Sequence, residues 1–205
     1  MVNKFSINDK DFWNEKKVFI TGHTGFKGSW LTICLLQLGV NVWGLSLPLS
    51  EQNLLFKKLN LLDNPSSNFT GKFTHIEGDI NDFNLMNTLV RDINPDIVFH
   101  LAAETLVRKS YLHPIKTWQT NVMGTLSLLE ALKKIDNYCA VILITSDKVY
   151  ENKNISYGYC EEDSLGGVDP YSSSKAAMEL LVSSWRKSYC GLNKHQSNHL
   201  SIATV

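Results

Sequence analysis

A glycine turn set between a strand-length apolar run and a helical apolar pattern is the feature that most limits how this chain can fold. Val18-Phe19-Ile20 leads into Thr21-Gly22-His23-Thr24-Gly25-Phe26-Lys27-Gly28, after which Trp30, Leu31, Cys34, Leu35 and Leu38 recur at helical spacing as far as Gly39. That order reads as strand, tight turn, helix. Glycines at i, i+3 and i+6 allow a sharp turn, bring main-chain N–H groups close to a pyrophosphate and let the helix pack tightly on its strand. The spacing is G-x-x-G-x-x-G and not the commoner dinucleotide form, so on this stretch alone a chance glycine cluster is an alternative. A Walker-type phosphate loop matches less well, because its lysine follows the last glycine, whereas Lys27 precedes Gly28.

The remainder of the chain repeats the strand–helix alternation. The second strand is predicted at Asn41 to Leu45, followed by an irregular polar segment through Pro48, Pro65 and Gly71 around a short helix at Leu54 to Leu61. Phe73 to Glu77 reads as a strand, Phe83 to Arg91 as a helix, and Ile97 to Leu101 as a buried strand after the Asn94-Pro95-Asp96 turn. A helix is predicted from about Thr117 to Lys134, then Ala140 to Thr145 as a central parallel strand. Pro170 opens a long helix from Tyr171 to about Cys190, and Leu200 to Val205 begins a further strand. Before the first strand, Phe12 and Trp13 are expected to pack under the sheet. Alternation of this kind predicts an α/β fold, a Rossmann-type doubly wound parallel sheet with helices on both faces and ligands beyond the strands' carboxyl ends. Four stretches converge on that edge: the glycine loop, Gly78-Asp79-Ile80, His100 to Glu104 and Thr145 to Lys148.

Composition narrows the function classes. With 205 residues and 43% hydrophobic content, one good core can be buried. The formal net charge of +0 and the lack of a basic run argue against nucleic acid or an anionic membrane surface as partners. The first residues lack the apolar core of a signal peptide, and Cys34, Cys139, Cys160 and Cys190 form no C-x-x-C pair. Reduced thiols and a cytoplasmic location are therefore expected, and the sequons at Asn68 and Asn154 are read as chance matches. His195 and His199 are four apart in a polar segment without a third ligand, so no metal site is expected.

Tyr171-Ser172-Ser173-Ser174-Lys175 is the strongest chemical signal, since a spacing of four places phenol and ammonium on one helix face. A tyrosine titrates near ~10, and bringing that to neutrality takes roughly 4 kcal/mol of differential stabilisation, which a close lysine and a cationic nicotinamide ring can supply. Tyr171 then serves as general base toward a substrate hydroxyl while hydride leaves the same carbon. The plain alternative is a surface helix on which the two residues fall four apart by chance.

On these residues the chain resembles the N-terminal part of an extended short-chain dehydrogenase/reductase, of the NAD-dependent epimerase/dehydratase kind. Within that superfamily it is most similar to the CDP-glucose 4,6-dehydratases. The resemblance rests on Thr21 to Leu31, Val98 to Ala103, Leu106 to Tyr111, Thr120 to Thr125, Thr145-Ser146-Asp147-Lys148-Val149-Tyr150-Glu151-Asn152 and Gly166 to Lys175. It implies an internal redox cycle on a nucleotide-activated hexose: bound NAD takes hydride from C4, water leaves across C5 and C6, and the hydride returns to C6. By the resemblance, Tyr171 is the base at the C4 hydroxyl, Lys175 lowers its pKa and holds the cofactor ribose, and Ser146 hydrogen-bonds the same oxygen. Asp147 protonates the leaving C6 hydroxyl. Lys148 stands where many hexose dehydratases have a glutamate as base, and epimerases and reductases typically lack such a couple. For Asp147 and Lys148 the plain alternative is two solvated charges at a strand end.

The resemblance also implies a cofactor site. Gly22, Thr24, Gly25, Phe26, Lys27 and Gly28 line the pyrophosphate, Asp79 and Ile80 flank the adenine, and Leu101, Ala102 and Ala103 line the cofactor along the fourth strand. Asn121 organises the active site or simply bonds nearby backbone, and Arg108 either reaches a substrate phosphate or is a solvated loop charge. Leu45-Ser46-Leu47 offers no acidic residue for the adenosine ribose, which with Lys27 leaves NADP open beside NAD. The superfamily continues past this point into a smaller C-terminal lobe, so the substrate lobe is expected to be missing and the chain to be an excised, truncated or degraded-frame product. Three functions follow as expectations: a CDP-glucose dehydratase portion, a related epimerase or reductase, or a non-catalytic dinucleotide-binding fragment. A nucleotide sugar is the expected partner, with a homodimer formed through the helices that often pair subunits in this superfamily.

Overall fold

The computed structural model describes residues 10–62, 69–190 and 199–205, in which six parallel strands form one sheet of order β3-β2-β1-β4-β5-β6. The strands are β1 (Lys17–Thr21), β2 (Asn41–Ser46), β3 (Phe73–Glu77), β4 (Ile97–His100), β5 (Cys139–Leu143) and β6 (Leu200–Thr204). The helices are α1 (Lys10–Trp13), α2 (Phe26–Gln37), α3 (Leu54–Leu59), α4 (Phe83–Ile93), α5 (Val107–Leu112), α6 (Pro114–Trp118), α7 (Gly124–Leu132) and α8 (Pro170–Tyr189). A π-helical turn, Gln119–Met123, joins α6 to α7. The polar leader before residue 10, Pro65 and the sequon at Asn68, and His195 lie outside the described residues.

The central strand explains the apolar run that begins the sequence pattern. Val18 and Ile20 point to one face, against Leu35, Leu36 and Phe56 of α2 and α3, while Phe19 points to the other, against the layer of α4, α7 and α8. All three are fully buried, as a strand covered on both faces requires. At about 1.5–3 kcal/mol for each large apolar side chain taken from water, these two faces are the main source of stability. Helix ends follow the sequence: Gly39 takes φ 87° after α2, and Asn94 closes α4 with φ 48°.

Three expectations are corrected. Helical structure before β5 begins at Val107, not Thr117, because Pro114 opens α6 directly after the short α5. The strand from Cys139 to Leu143 lies next to the β6 edge and not at the centre, and its Ala140 and Ile142 are only half-buried. Trp13 packs against the core, but Phe12 is 54% exposed and stands edge-on to Trp13.

Candidate functional site

The register brings the strand ends level. Thr21 pairs with Leu45 on one side and His100 on the other, His100 pairs with Leu143, and Ser46 pairs with Glu77. The order reverses between β1 and β4, the position at which sheets of this type form a ligand crevice. Gly22 leaves β1 with φ 77°, and a Cβ there would lie 2.7 Å from Ala102 N, so only glycine lets the loop meet the β4 exit. A Cβ on Gly28 would lie 2.7 Å from His23 Cα and would overlap Gly22 O. No side chain caps α2, which leaves its first N–H groups without a side-chain partner. Gly25, Phe26 and Lys27 are exposed, whereas Thr24 is buried and its carbonyl accepts from Asn53 Nδ2 at 3.0 Å. The cradle thus has the close backbone approach and free N–H groups that a dinucleotide pyrophosphate needs.

The other expected cofactor residues divide by environment. Leu101, Ala102 and Ala103 lie half-buried along the crevice. Asp79 is exposed, with Oδ1 accepting from Asn81 N at 2.9 Å and from Asn81 Nδ2 at 3.0 Å, so the turn after β3 is held by the carboxylate expected beside adenine. The Ile80 side chain instead enters the core against Gly124.

A capping box sets the start of α8. Asp169 Oδ1 accepts from Tyr171 N at 2.9 Å and Ser172 N at 3.0 Å, and Asp169 N donates to Ser172 Oγ, with Pro170 in the first turn. Ser110 Oγ accepts from Tyr171 N as well, tying α5 to the same turn. Lys175 is 3% exposed, its Nζ donates to Ile144 O at 2.8 Å rather than to Tyr171, and burial lowers its pKa to about 8. At the β5 end, Ser146 Oγ donates to Asp147 Oδ1 at 3.3 Å and accepts from Lys148 N at 3.2 Å, while Asp147 and Lys148 are exposed. Arg108 is exposed on α5.

Buried polar links that the sequence did not reveal join these parts. His100 Nδ1 lies 2.7 Å from Thr21 Oγ1 and its Nε2 lies 3.0 Å from Thr125 Oγ1, which donates to Asn121 O. Asn121 accepts from Glu104 N and donates to Glu104 O and to Ser174 Oγ, so it joins the β4 exit loop to α8. Beneath the glycine loop, His23 Nε2 lies 2.7 Å from His75 Nδ1 among Phe56 and Phe73. Burial, and then the nearby Lys175 charge, lower the His100 pKa to about 3. Burial, with His75 adding and the Leu45 carbonyl opposing, lowers that of His23 to about 3. The one available sequence signal was the placement of His23 in the glycine loop and of His100 at the end of β4, among residues already assigned to the crevice.

Residues 19–202 match the family described as GDP-mannose 4,6 dehydratase. A CDP-glucose 4,6-dehydratase of Salmonella typhimurium is 45% identical over 197 residues, which is 96% of this chain and 53% of that protein. The chain therefore spans about half the length of that relative. Among solved structures, the epimerase Mth375 of Methanothermobacter thermautotrophicus superposes with a TM-score of 0.76 at 25% identity, over 97% of this chain and 53% of its own. MoeE5 in complex with UDP-glucose and NAD superposes with a TM-score of 0.66 at 27% identity, over 92% of this chain and 52% of its own.

Proposed function

The chain belongs to the GDP-mannose 4,6 dehydratase family, and on that premise we propose that it carries the cofactor-binding and catalytic part of a sugar-nucleotide 4,6-dehydratase acting on CDP-glucose. The observation that carries this reading is the convergence on one sheet edge of the glycine cradle, the Ser146-Asp147-Lys148 turn and the Tyr171/Lys175 helix face. The 45% identity to a CDP-glucose 4,6-dehydratase supports the choice of substrate.

Gly22, Thr24, Gly25, Phe26, Lys27 and Gly28 hold the cofactor pyrophosphate, with Asp79 and the main chain of core-packed Ile80 beside the adenine, Leu101, Ala102 and Ala103 along the crevice wall, and Lys175 at the ribose. When bound, a nicotinamide dinucleotide would supply a hydride acceptor for C4 of the sugar and a hydride donor for C6. Tyr171 takes the C4 hydroxyl proton, and Ser146 hydrogen-bonds that oxygen. Lys175 keeps a positive charge one turn from the phenol. With C4 a ketone, the C5 proton is acidic; Lys148 occupies the base position for it, and Asp147 gives its proton to the departing C6 hydroxyl, so water leaves. Asn121 holds the β4 exit loop against α8 around these groups. NAD is the cofactor we assign, and the NAD in the MoeE5 structure supports it; the absence of an acid at Leu45-Ser46-Leu47 makes NADP the alternative to test.

Exposed Ile115, Trp118 and Met123, with Pro114 and Val122 in the same hollow, form the apolar surface against which we place a second copy, which light scattering reads directly. A cytoplasmic location fits the four free cysteines, and no helix among the described residues is long and apolar enough to cross a membrane. The deciding experiment measures 4-keto-6-deoxy sugar formation from CDP-, dTDP-, UDP- and GDP-hexoses, with this chain and with one extended by any downstream coding sequence. Turnover of CDP-glucose is expected. Turnover of dTDP-glucose alone overturns the substrate assignment, epimerised product without loss of water favours the epimerase reading, and cofactor binding without turnover by either chain favours a non-catalytic fragment.

A further inference from the structure

Thr145 is the residue through which the catalytic turn is attached to the catalytic helix. It stands just after β5 and just before Ser146-Asp147-Lys148, and its Oγ1 donates to Glu179 Oε1 at 2.6 Å. Its main-chain N–H donates to Val205 O at 2.8 Å, so side chain and backbone are both fixed. Glu179 lies one turn beyond Lys175 on α8, on the same face. Lys175 needs a negative charge there. Its ammonium is almost fully buried, donates to the Ile144 carbonyl and touches Met178 Sδ, and belongs to none of the ion pairs among the described residues. An ammonium has three donors and a high desolvation cost, so one carbonyl leaves it short of compensation.

We propose that Glu179 is a positioning residue of this site: one carboxylate anchors the Ser146-Asp147-Lys148 turn through Thr145 and supplies the counter-charge for the buried Lys175 ammonium. This rests on the reading of Lys175 and Tyr171 given above. The charges facing Lys175 are few. Glu179 on α8 favours its protonated form, Lys27 on α2 opposes it, and His100 on β4, itself held neutral by burial, contributes no charge near pH 7. Beside the Ile144 carbonyl, Glu179 is thus the charged group acting against the burial that draws Lys175 down to about 8. Its carboxylate cannot be replaced by an amide without loss, although an amide oxygen still accepts from Thr145.

Thermal unfolding of the 205-residue chain as a function of pH separates the charge role from a packing role. Lys175 has a folded pKa below its unfolded value, so its charged form costs stability below pH 8 and the cost disappears as pH rises toward 10.5. Glu179→Gln removes what offsets that cost. The expected Tm loss is about 2–4 °C at pH 7, falling by more than half at pH 9.5. In a Lys175→Met background the same substitution is expected to shift Tm by under about 1 °C at either pH. A loss that is independent of pH, or equal in both backgrounds, overturns the proposal. Should Glu179→Gln not fold, Glu179→Asp, which keeps the charge but shortens the reach, is compared with Thr145→Val: retention of the wild-type pH profile by both supports the counter-charge, and its loss in both overturns it. NADH fluorescence titration of the wild-type chain is the separate control: no binding there ends the cofactor reading, while the thermal cycle still decides Glu179.

Discussion

Gly44 on β2 faces the imidazole of His23 so closely that a Cβ at position 44 would overlap the ring. The glycine loop is thus held from below as well as shaped by its own glycines: His23 is fully buried, bonded to His75 and enclosed by Phe56 and Phe73. Gly44→Ala is expected to destabilise the chain by about 2 kcal/mol through overpacking. Because the clash is with one side chain, His23→Ala in the same chain should recover at least about 1 kcal/mol relative to the sum of the single changes. Urea midpoints of the four proteins measure it, and full additivity would place the strain elsewhere.

The two buried histidines make stability fall in mild acid. Both His23 and His100 have folded pKa values of about 3 against 6.5 for the free side chain, so the unfolded chain binds more protons between those limits. The sign is therefore that stability is complete above about pH 6.5 and declines as pH drops toward 3. At pH 5 each histidine contributes a loss of up to about 2 kcal/mol. The pH dependence of the urea midpoint is expected to report uptake of more than one proton on unfolding between pH 5 and 6. An uptake near zero would mean that neither ring is buried in the neutral form.

The parallel sheet was legible because a βαβ chain writes each element locally: Phe73–Glu77 could be read directly from its apolar run, and the start of α8 from Asp169-Pro170. What failed was decided by neighbours. Cys139–Leu143 has the composition of a central strand, yet its place beside β6 depends on which strands pair, which no local pattern encodes. The links His23–His75, His100–Thr125 and Asn121–Ser174 bridge 52, 25 and 53 residues, respectively, and polar residues scattered at that separation carry no periodic signal. Glu179 was closer to legible, since it follows Lys175 by one helical turn, but its partner Thr145 is 34 residues away.

Asn121 is expected to matter more for structure than its position on a helix implies. It makes three hydrogen bonds that join Glu104 to Ser174, and it is 1% exposed. Asn121→Ala leaves those partners unpaired and should cost about 2–4 kcal/mol. Ser174→Ala removes only one partner and should cost about 1 kcal/mol. Differential scanning calorimetry ranks them; equal losses would mean that the bonds to Glu104 carry nothing.

The groups proposed for the oxidation and dehydration steps, Tyr171, Lys148 and Asp147, give separable signatures in heavy water. Oxidation at C4 must precede loss of the C5 proton, and loss of that proton must precede departure of the C6 hydroxyl. Tyr171→Phe blocks the first step, so recovered CDP-glucose should carry no deuterium at C5, with turnover reduced by about 10²–10⁴-fold. Asp147→Asn leaves oxidation and proton loss intact but removes the acid for the leaving hydroxyl. It should therefore exchange C5 while forming about 10²–10⁴-fold less product. Lys148→Met should form the ketone without exchange, because the base position is vacated. Mass spectrometry of recovered substrate reads the C5 exchange, and mass spectrometry after borodeuteride reduction of the quenched mixture reads the ketone, which the Lys148→Met protein should form and the Tyr171→Phe protein should not. Exchange in the Lys148→Met protein would move the base elsewhere, and exchange in the Tyr171→Phe protein would remove Tyr171 from the first step; either result would break the order that the shared sheet edge of Ser146, Asp147, Lys148 and Tyr171 supports.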